Sequence, residues 1–351
     1  MVGIGERLKL ARAMRRLSQR GLAERAGVSA MAISKYENNE MMPGSDVLRQ
    51  LAKALDVRME FLLRPAPEVE IRPVFRKHSR LGKKATGAVI AQIREWLERY
   101  LTVESFFPDE EIGAFSFPKE FPYAIEAVKE AEQAAEELRK AWRLGEDPTE
   151  NLTELLEDRG IKVGMLAGDG DFDACTFSFD GDNIVIAVKR GVPGDRQRFN
   201  LAHELGHIML KVMPEVEEEK AAHRFAGAFL VSARAARMEL GSARRYLDPH
   251  ELMLLKKKYG MSMAAWVYRA KDLGILDAAD AERLWRDFRT RGWHKQEPGR
   301  PLPAEEPTRL KRLVWRLAAE DVISRSRAAE LLDEPLAVFA NQEEGAVAVP
   351  G

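Results

Sequence analysis

Residues 198–209 read Arg-Phe-Asn-Leu-Ala-His-Glu-Leu-Gly-His-Ile-Met. This stretch is the strongest indication of the fold of the larger part of the chain. Its apolar residues recur at helical spacing, and His203 and His207 stand four positions apart. Residues at i and i+4 of a helix lie on one face, so both imidazoles can reach the same metal ion. Glu204 follows the first histidine and can face a water molecule on that ion. The stretch predicts a helix that carries two metal ligands and a general base.

A third ligand is expected in the segment that follows, because a hydrolytic zinc site uses three protein ligands and leaves one position for water. Residues 217–230 begin with acidic side chains and continue with apolar ones at helical spacing. Glu219 lies one turn before Ala222, on the apolar side of this predicted helix, and is the favoured ligand. His223 shares that face and can hydrogen-bond the ligating groups. The spacing also allows a histidine pair without metal and a solvated helix start at Glu217, Glu218 and Glu219.

Composition excludes several other kinds of site and protein. The chain has 351 residues, 45% of them hydrophobic and 32% charged, which predicts two or three globular domains. Cys175 is the one cysteine, so an internal disulfide and a site built from several thiolates are both excluded. No apolar run reaches the roughly 18 residues of a membrane span, and the first residues lack a secretory signal. We expect a cytoplasmic protein with no membrane partner.

The first part of the chain differs in charge from the rest. Residues 1–64 hold 12 Lys and Arg against 7 Asp and Glu, a net charge of +5, which leaves -6 for the remainder. Apolar residues recur there in four or five short helical segments. Gly27 can take the positive φ of a tight turn, while Ser18, Ser29 and Ser45 can cap the helices that follow them. A basic segment with this pattern predicts a helix-turn-helix that binds nucleic acid.

The remaining residues indicate a mainly α fold with a small β-sheet (α+β). Residues 175–179 and 184–188 are rich in β-forming side chains, and the turn residues between them predict a hairpin. This is the only sheet that the pattern predicts clearly, and its exposed strand could bind an extended peptide. Helices are expected over residues 123–143 and from residue 196 onward. They include one helical segment over residues 307–332, which we interpret as a packing or sensing surface.

Two motifs resemble the ImmA/IrrE family of zinc metallopeptidases. The first is residues 198–207, and the second is Glu219-x-x-Ala222-x-x-Phe225-Ala226-Gly227-Ala228-Phe229-Leu230. The resemblance implies a zincin-like fold that binds Zn²⁺ through His203, His207 and Glu219 and uses Glu204 as general base. It covers about residues 76–275, and it implies that the hairpin precedes the zinc-binding helix.

The sequence departs from this family in two places. Proline is common where Ser232 stands, and an acidic residue is common where Ala221 stands. Neither position is an expected ligand. The residue that stabilises the oxyanion of a cleavage reaction stays open among Tyr123, His250 and His223.

Residues 17–37 resemble the Xre/Cro-type helix-turn-helix of repressors. Such folds place the second helix of the pair in the major groove of double-stranded DNA, and paired half-sites on an operator imply a homodimer. The alternative is a helix-turn-helix that contacts protein, because alanine and methionine at the start of the second helix offer few hydrogen bonds to bases. The residues expected to contact DNA are Gln19, Arg20, Ser29, Ala30, Met31, Ser34 and Lys35.

Taken together, the sequence predicts a transcriptional regulator fused to a zinc-dependent endopeptidase that acts on a repressor or antitoxin protein, as in a toxin–antitoxin system. The alternative is a transcription factor that does not cleave protein and uses the metallopeptidase fold to sense zinc or an effector. A purely structural zinc is less favoured, because only three ligands are identified. The predicted parts are a helix-turn-helix domain at 1–65, a linker at 66–80, a metallopeptidase-like domain at 81–275 and a helical C-terminal region at 276–351.

Overall fold

The computed structural model describes residues 4–64, 69–73, 83–167, 172–181 and 183–347. Within these ranges the fold is mainly α with a small mixed sheet, as predicted. Most of the expected linker at 66–80 lies outside the described residues. None of the helices in the described ranges combines the length and apolar character needed to cross a bilayer.

Five short helices form the head of the molecule, which we define as residues 4–64. They are α1 (Gly5–Met14), α2 (Gln19–Ala26), α3 (Ala30–Glu37), α4 (Ser45–Leu55) and α5 (Met59–Leu63). Gly27 ends α2 with φ 65°, and the hydroxyls of Ser18 and Ser29 accept hydrogen bonds from the first turns of α2 and α3, as predicted. The expectation for Ser45 is wrong, because Gly44 is the N-cap of α4 and Ser45 is its first helical residue.

The main sheet has four strands in the order β1-β4-β5-β3. They are β1 (Ile71–Pro73), β3 (Lys162–Leu166), β4 (Ala174–Phe179) and β5 (Asn183–Lys189). The predicted hairpin is confirmed as the antiparallel pair β4–β5, while β3 runs parallel to β5 and β1 antiparallel to β4.

The helix predicted over residues 123–143 is wrong in its first part, because a strand of a second, two-stranded sheet lies there. β2 (Tyr123–Ile125) pairs in parallel with β6 (Leu210–Val212), and the helix itself begins only at Ala131. Residues distant in sequence make this pairing, so local helical spacing did not reveal it.

Helices cover both faces of the main sheet. The long helix α6 (Lys83–Glu104) packs on one face, where Val185 and Ala187 of β5 join Ile93 and Leu97 in a buried cluster. Ile184, Ile186 and Val188 point to the other face and belong to the largest core. A short 3-10 helix spans Val128–Glu130. The α-helices not yet named are α7 (Asp109–Ile112), α8 (Ala131–Ala141), α9 (Leu152–Asp158), α10 (Gly194–Met209), α11 (Glu218–Leu230), α12 (Ala233–Leu240), α13 (Pro249–Tyr259), α14 (Met263–Asp272), α15 (Ala278–Thr290), α16 (Arg309–Ala319), α17 (Arg325–Leu331) and α18 (Leu336–Val347).

The C-terminal part of the chain belongs to two different cores. Leu284 and Phe288 of α15 are buried in the same cluster as α10 and α11, although they follow the predicted boundary at residue 276. Helices α16 to α18 instead share a smaller cluster with Val103 at the end of α6. The single helical segment expected over 307–332 is two helices, since the chain turns at Asp321 with φ 56°.

Candidate functional site

The predicted metal-binding helix is α10, and a glycine allows its neighbour to approach closely. Helices α10 and α11 pack side by side at Gly206, where an added Cβ would lie 3.3 Å from the Cα of Ala222 and 3.1 Å from the ring of Phe225. The small residues on both helices bring their backbones together. Glu219, one turn before Ala222, is thereby brought to the histidines of α10.

Three side chains converge at this contact. The Nε2 atoms of His203 and His207 lie 3.1 Å apart. The Glu219 carboxylate lies 3.4 Å from Nε2 of His203 and 3.3 Å from Nε2 of His207. One nitrogen of each imidazole and one carboxylate oxygen of Glu219 lie within 4.8 Å of one another. This donor set and its convergence fit a zinc ion with three protein ligands.

Burial and the contacts among these three side chains shift their pKa values. Hydrogen bonds from His203 and His207 hold the pKa of Glu219 far below its usual range. Burial lowers the pKa of His203. Burial also acts against the charged form of His207, but its bond to Glu219 and the nearby charges of Glu204 and Glu218 outweigh this effect and raise its pKa. Glu219 therefore stays ionised, which is the form that binds a metal.

Glu204 has a partner that sequence spacing did not indicate. Thr176 of β4, only 4% exposed, donates its hydroxyl hydrogen to Oε2 of Glu204 at 2.7 Å. Burial raises the pKa of Glu204, and the bond from Thr176 acts in the opposite direction. Thr176 lies 28 residues before Glu204, so only the packing of β4 on α10 brings them together.

Glu218 and His223 support the two histidines. Oε1 of Glu218 lies 3.3 Å from Nδ1 of His207, so this glutamate is not merely part of a solvated helix start. His223 lies beside the site as expected, with its ring centroid 4.4 Å from that of His203. Its Nδ1 is 2.7 Å from the backbone carbonyl oxygen of Glu219, which makes that nitrogen the donor.

The other residues considered for the oxyanion lie in different surroundings. Tyr123 packs against the ring of Phe121 at a centroid distance of 6.0 Å. His250 stands at the start of α13 beside Asp248, with a side chain that is 90% exposed.

The outer edge of β4 is partly covered. Sequence reasoning expected an exposed strand there, but β1 pairs with Phe177, Ser178 and Phe179 of β4. This pairing begins one residue after Thr176. The part of the edge that lies opposite Phe177–Phe179 is therefore already occupied by the chain itself.

In the head, the structure separates the expected DNA contacts into two groups. Gln19 donates to the buried carboxylate of Glu37, and Ser29 caps α3 through its bond from Ala32. These two polar side chains therefore also serve the fold. Of the others, Arg20 and Lys35 are exposed, Met31 is 70% exposed, and Ala30 and Ser34 are half-buried.

Comparison with known families agrees with both parts of this description. Residues 8–62 match the family described as helix-turn-helix, and residues 156–271 match the IrrE N-terminal-like domain. The second range contains Thr176, Glu204 and the three converging side chains. No curated protein matches the chain. The chain thus joins a segment that matches an Xre-type helix-turn-helix to a segment that matches an IrrE N-terminal-like, metallopeptidase-like domain of the ImmA/IrrE type.

Proposed function

We propose that this protein is a DNA-binding transcriptional regulator whose second domain is a zinc-dependent endopeptidase. The observation that carries the proposal is the convergence of His203, His207 and Glu219 within 4.8 Å of one another. Glu204, next to the first histidine, adds a half-buried carboxylate that accepts a hydrogen bond from Thr176. Three ligands and an adjacent base are what hydrolytic zinc sites require.

The proposed cleavage assigns a role to each side chain. A zinc ion on the three ligands would supply a Lewis acid and a water of lowered pKa. Glu204 takes the proton of the attacking water and returns it to the leaving nitrogen of the peptide. Thr176 occupies Oε2 of Glu204, which leaves Oε1 to face the water. Burial raises the pKa of this carboxyl, which makes it a stronger base for that proton.

The proposed DNA partner is a double-stranded operator bound by the head. Arg20, Met31 and Lys35 lie exposed at or near the start of α2 and on α3, where a helix-turn-helix meets the major groove. We further propose that a homodimer binds paired half-sites in the cytoplasm. The peptidase would act on a repressor or antitoxin protein.

Metal content tests the site directly. We expect about one zinc per chain in the wild type and in Glu204→Gln, and loss of zinc in His203→Ala, since the imidazole is a ligand and Glu204 is not. His250→Ala is the matched control, because this histidine is exposed and remote from the ligand set in sequence. Elemental analysis of the purified proteins gives the answer. A wild type without zinc after reconstitution would overturn the peptidase assignment.

Cleavage is tested separately with each candidate repressor or antitoxin protein that the neighbouring genes encode. Fragments formed by the wild type and absent with zinc-loaded Glu204→Gln would support proteolysis. Regulation that is unchanged in Glu204→Gln would favour the non-proteolytic sensor instead.

A further inference from the structure

The chain between α15 and α16 is bound to the body of the molecule although it contains no helix or strand. We call residues 297–308 the strap. At its beginning, the carboxylate of Glu297 accepts hydrogen bonds from the backbone nitrogens of Met263 and Ala264, where α14 starts, at 3.1 and 2.9 Å. At its end, the backbone nitrogen of Thr308 donates to Glu157 of α9 at 3.0 Å. The strap is therefore fixed at both ends.

Between these ends the strap crosses the start of α10, the helix that carries both histidines of the candidate site. The backbone nitrogen of Gly194, the first residue of α10, donates to the carbonyl oxygen of Leu302 at 2.9 Å. A Cβ added to Gly194 would lie only 2.0 Å from the carbonyl oxygen of Pro303. The absence of a side chain at Gly194 thus lets the strap lie directly on the first turn of α10.

The carboxylate of Glu305 in the strap joins α10 to α9. It accepts hydrogen bonds from the backbone nitrogens of Leu152 and Thr153, at the start of α9, at 3.2 and 2.8 Å. Arg198 of α10 donates to the same carboxylate. The side chains of Arg198 and Glu305 are only 7% and 11% exposed. Either charge would be costly to bury alone, so each holds the other in place.

Gln197 binds the backbone of the same strap residue. Its side chain is fully buried, its Nε2 donates to the carbonyl oxygen of Glu305, and its Oε1 accepts from the backbone nitrogen of Glu305, both at 2.7 Å. Two consecutive residues of α10 therefore bind one residue of the strap, through its side chain and through its backbone. Such a set of bonds fixes both the rotation of α10 about its axis and its position along that axis.

The candidate metal ligands lie a short way along this helix. His203 follows Arg198 by five residues, which is about 7.5 Å in a helix. Helix α11 contacts α10 near the other end, at Gly206, and brings Glu219 to the site. The relative placement of the two histidines and Glu219 thus depends on where the first turn of α10 is held. Metal affinity falls when supporting contacts no longer keep ligands in place.

We propose that Glu305 is a positioning residue for the metal site, and that the strap is a working part of the metallopeptidase-like domain. The match to the IrrE N-terminal-like domain ends at residue 271, so Glu305 lies well outside it. It also lies beyond residue 275, where the sequence predicts the end of the domain. The proposal rests on the zinc site proposed above and assigns the C-terminal region a role in that site.

Metal binding by the full chain tests this role without any need for a substrate. Zinc affinity is measured by competition with a chelator, and the visible absorption of Co²⁺ in the same site reports the geometry of the ligands. Glu305→Gln removes the charge beside Arg198 and should raise the dissociation constant for zinc about tenfold and alter the Co²⁺ spectrum. Glu306→Gln changes the next residue, whose side chain is 60% exposed, and should alter the constant less than twofold.

Glu104→Gln separates positioning from general stability. Glu104 and Lys162 form another buried pair, 3.1 Å apart with side chains 9% and 8% exposed, and neither residue belongs to α10 or α11. Loss of this carboxylate should lower the melting temperature, as Glu305→Gln does, but leave zinc affinity and the Co²⁺ spectrum unchanged. Equal weakening of zinc binding in these two variants would overturn the proposal, and so would wild-type affinity in Glu305→Gln.

Glu305→Asp keeps the charge but shortens its reach, so its dissociation constant should lie between those of the wild type and Glu305→Gln. This variant decides the question if Glu305→Gln does not fold, and a constant equal to that of the wild type would then overturn the proposal. A wild type that binds neither zinc nor Co²⁺ is a different result, because it would contradict the proposed function itself.

Discussion

At the scale of single residues, the hydrogen bond between Thr176 and Glu204 fixes the carboxylate that we propose as the general base. The bond is 2.7 Å long and comes from a side chain that is 4% exposed, so the carboxylate has little freedom to turn. A positioned base contributes more to catalysis than a mobile one, because the geometry for proton transfer is already set.

We therefore expect Thr176→Val to lower kcat about tenfold to a hundredfold with little change in KM or zinc content. Thr176→Ser keeps the hydroxyl and should restore most of the rate. The measurement is steady-state cleavage of the partner protein once it is found, with zinc determined on the same samples. Equal rates for Thr176→Val and the wild type would contradict this role.

In the head, a second buried carboxylate matters for folding. Glu37 is 1% exposed and binds both the guanidinium of Arg12 and the amide of Gln19. Glu37→Gln removes the charge that compensates Arg12, and should reduce the stability of the head by about 3 kcal/mol. Glu40→Gln, an exposed change nearby, should cost less than about 0.5 kcal/mol. Thermal unfolding of the two variants compares them, and similar losses would contradict the importance of the buried pair.

At the scale of elements, α16 begins on a buried acid. Oε2 of Glu157 accepts hydrogen bonds from the backbone nitrogens of Thr308 and Arg309 at 3.0 and 3.1 Å, where α16 starts. Burial raises the pKa of Glu157 to about 7 from its ordinary value of 4.5. The folded state therefore holds this proton more tightly than the unfolded chain does.

It follows that this residue makes the protein less stable as pH rises from about 4.5 to about 7, because the unfolded chain releases the proton over this range while the folded state still holds it. Glu157→Gln has no group that titrates at this position. Its free energy of unfolding should therefore fall by about 2 to 3 kcal/mol less than that of the wild type over the same pH range. Urea unfolding at a series of pH values, followed by tryptophan fluorescence, measures the difference. Parallel curves for the two proteins would show that Glu157 does not titrate there.

At the scale of the whole molecule, α6 joins the head to the sheet. The guanidinium of Arg7 in α1 is fully buried and binds both carboxylate oxygens of Glu98 in α6. Arg58 of the head also donates to the backbone oxygen of Glu334 at 2.6 Å. The head is thus held against both α6 and the C-terminal helices.

Glu98→Gln leaves the buried charge of Arg7 without its carboxylate and should weaken the docking of the head by about 3 kcal/mol. We expect the head to unfold or detach at a lower temperature than the remainder, seen as earlier proteolytic cleavage between residues 64 and 83. Glu6→Gln, which breaks an exposed pair with Lys9, is the control and should leave the pattern unchanged. A single unchanged transition in Glu98→Gln would contradict the docking role.

The sequence by itself determined the features that depend on neighbours along the chain. The i and i+4 spacing placed His203 and His207 on one helical face, and the periodicity of the next helix identified Glu219. Turn and cap residues located the helix-turn-helix and the β4–β5 hairpin. Each of these rests on interactions within a few residues, so local pattern was sufficient.

Only the tertiary structure decided the contacts between distant segments. Thr176 meets Glu204, β1 covers part of the edge of β4, and β2 pairs with β6, although no spacing in the sequence links these partners. The physical reason is that local periodicity records which face of an element is buried, whereas packing of the whole chain selects what lies against that face.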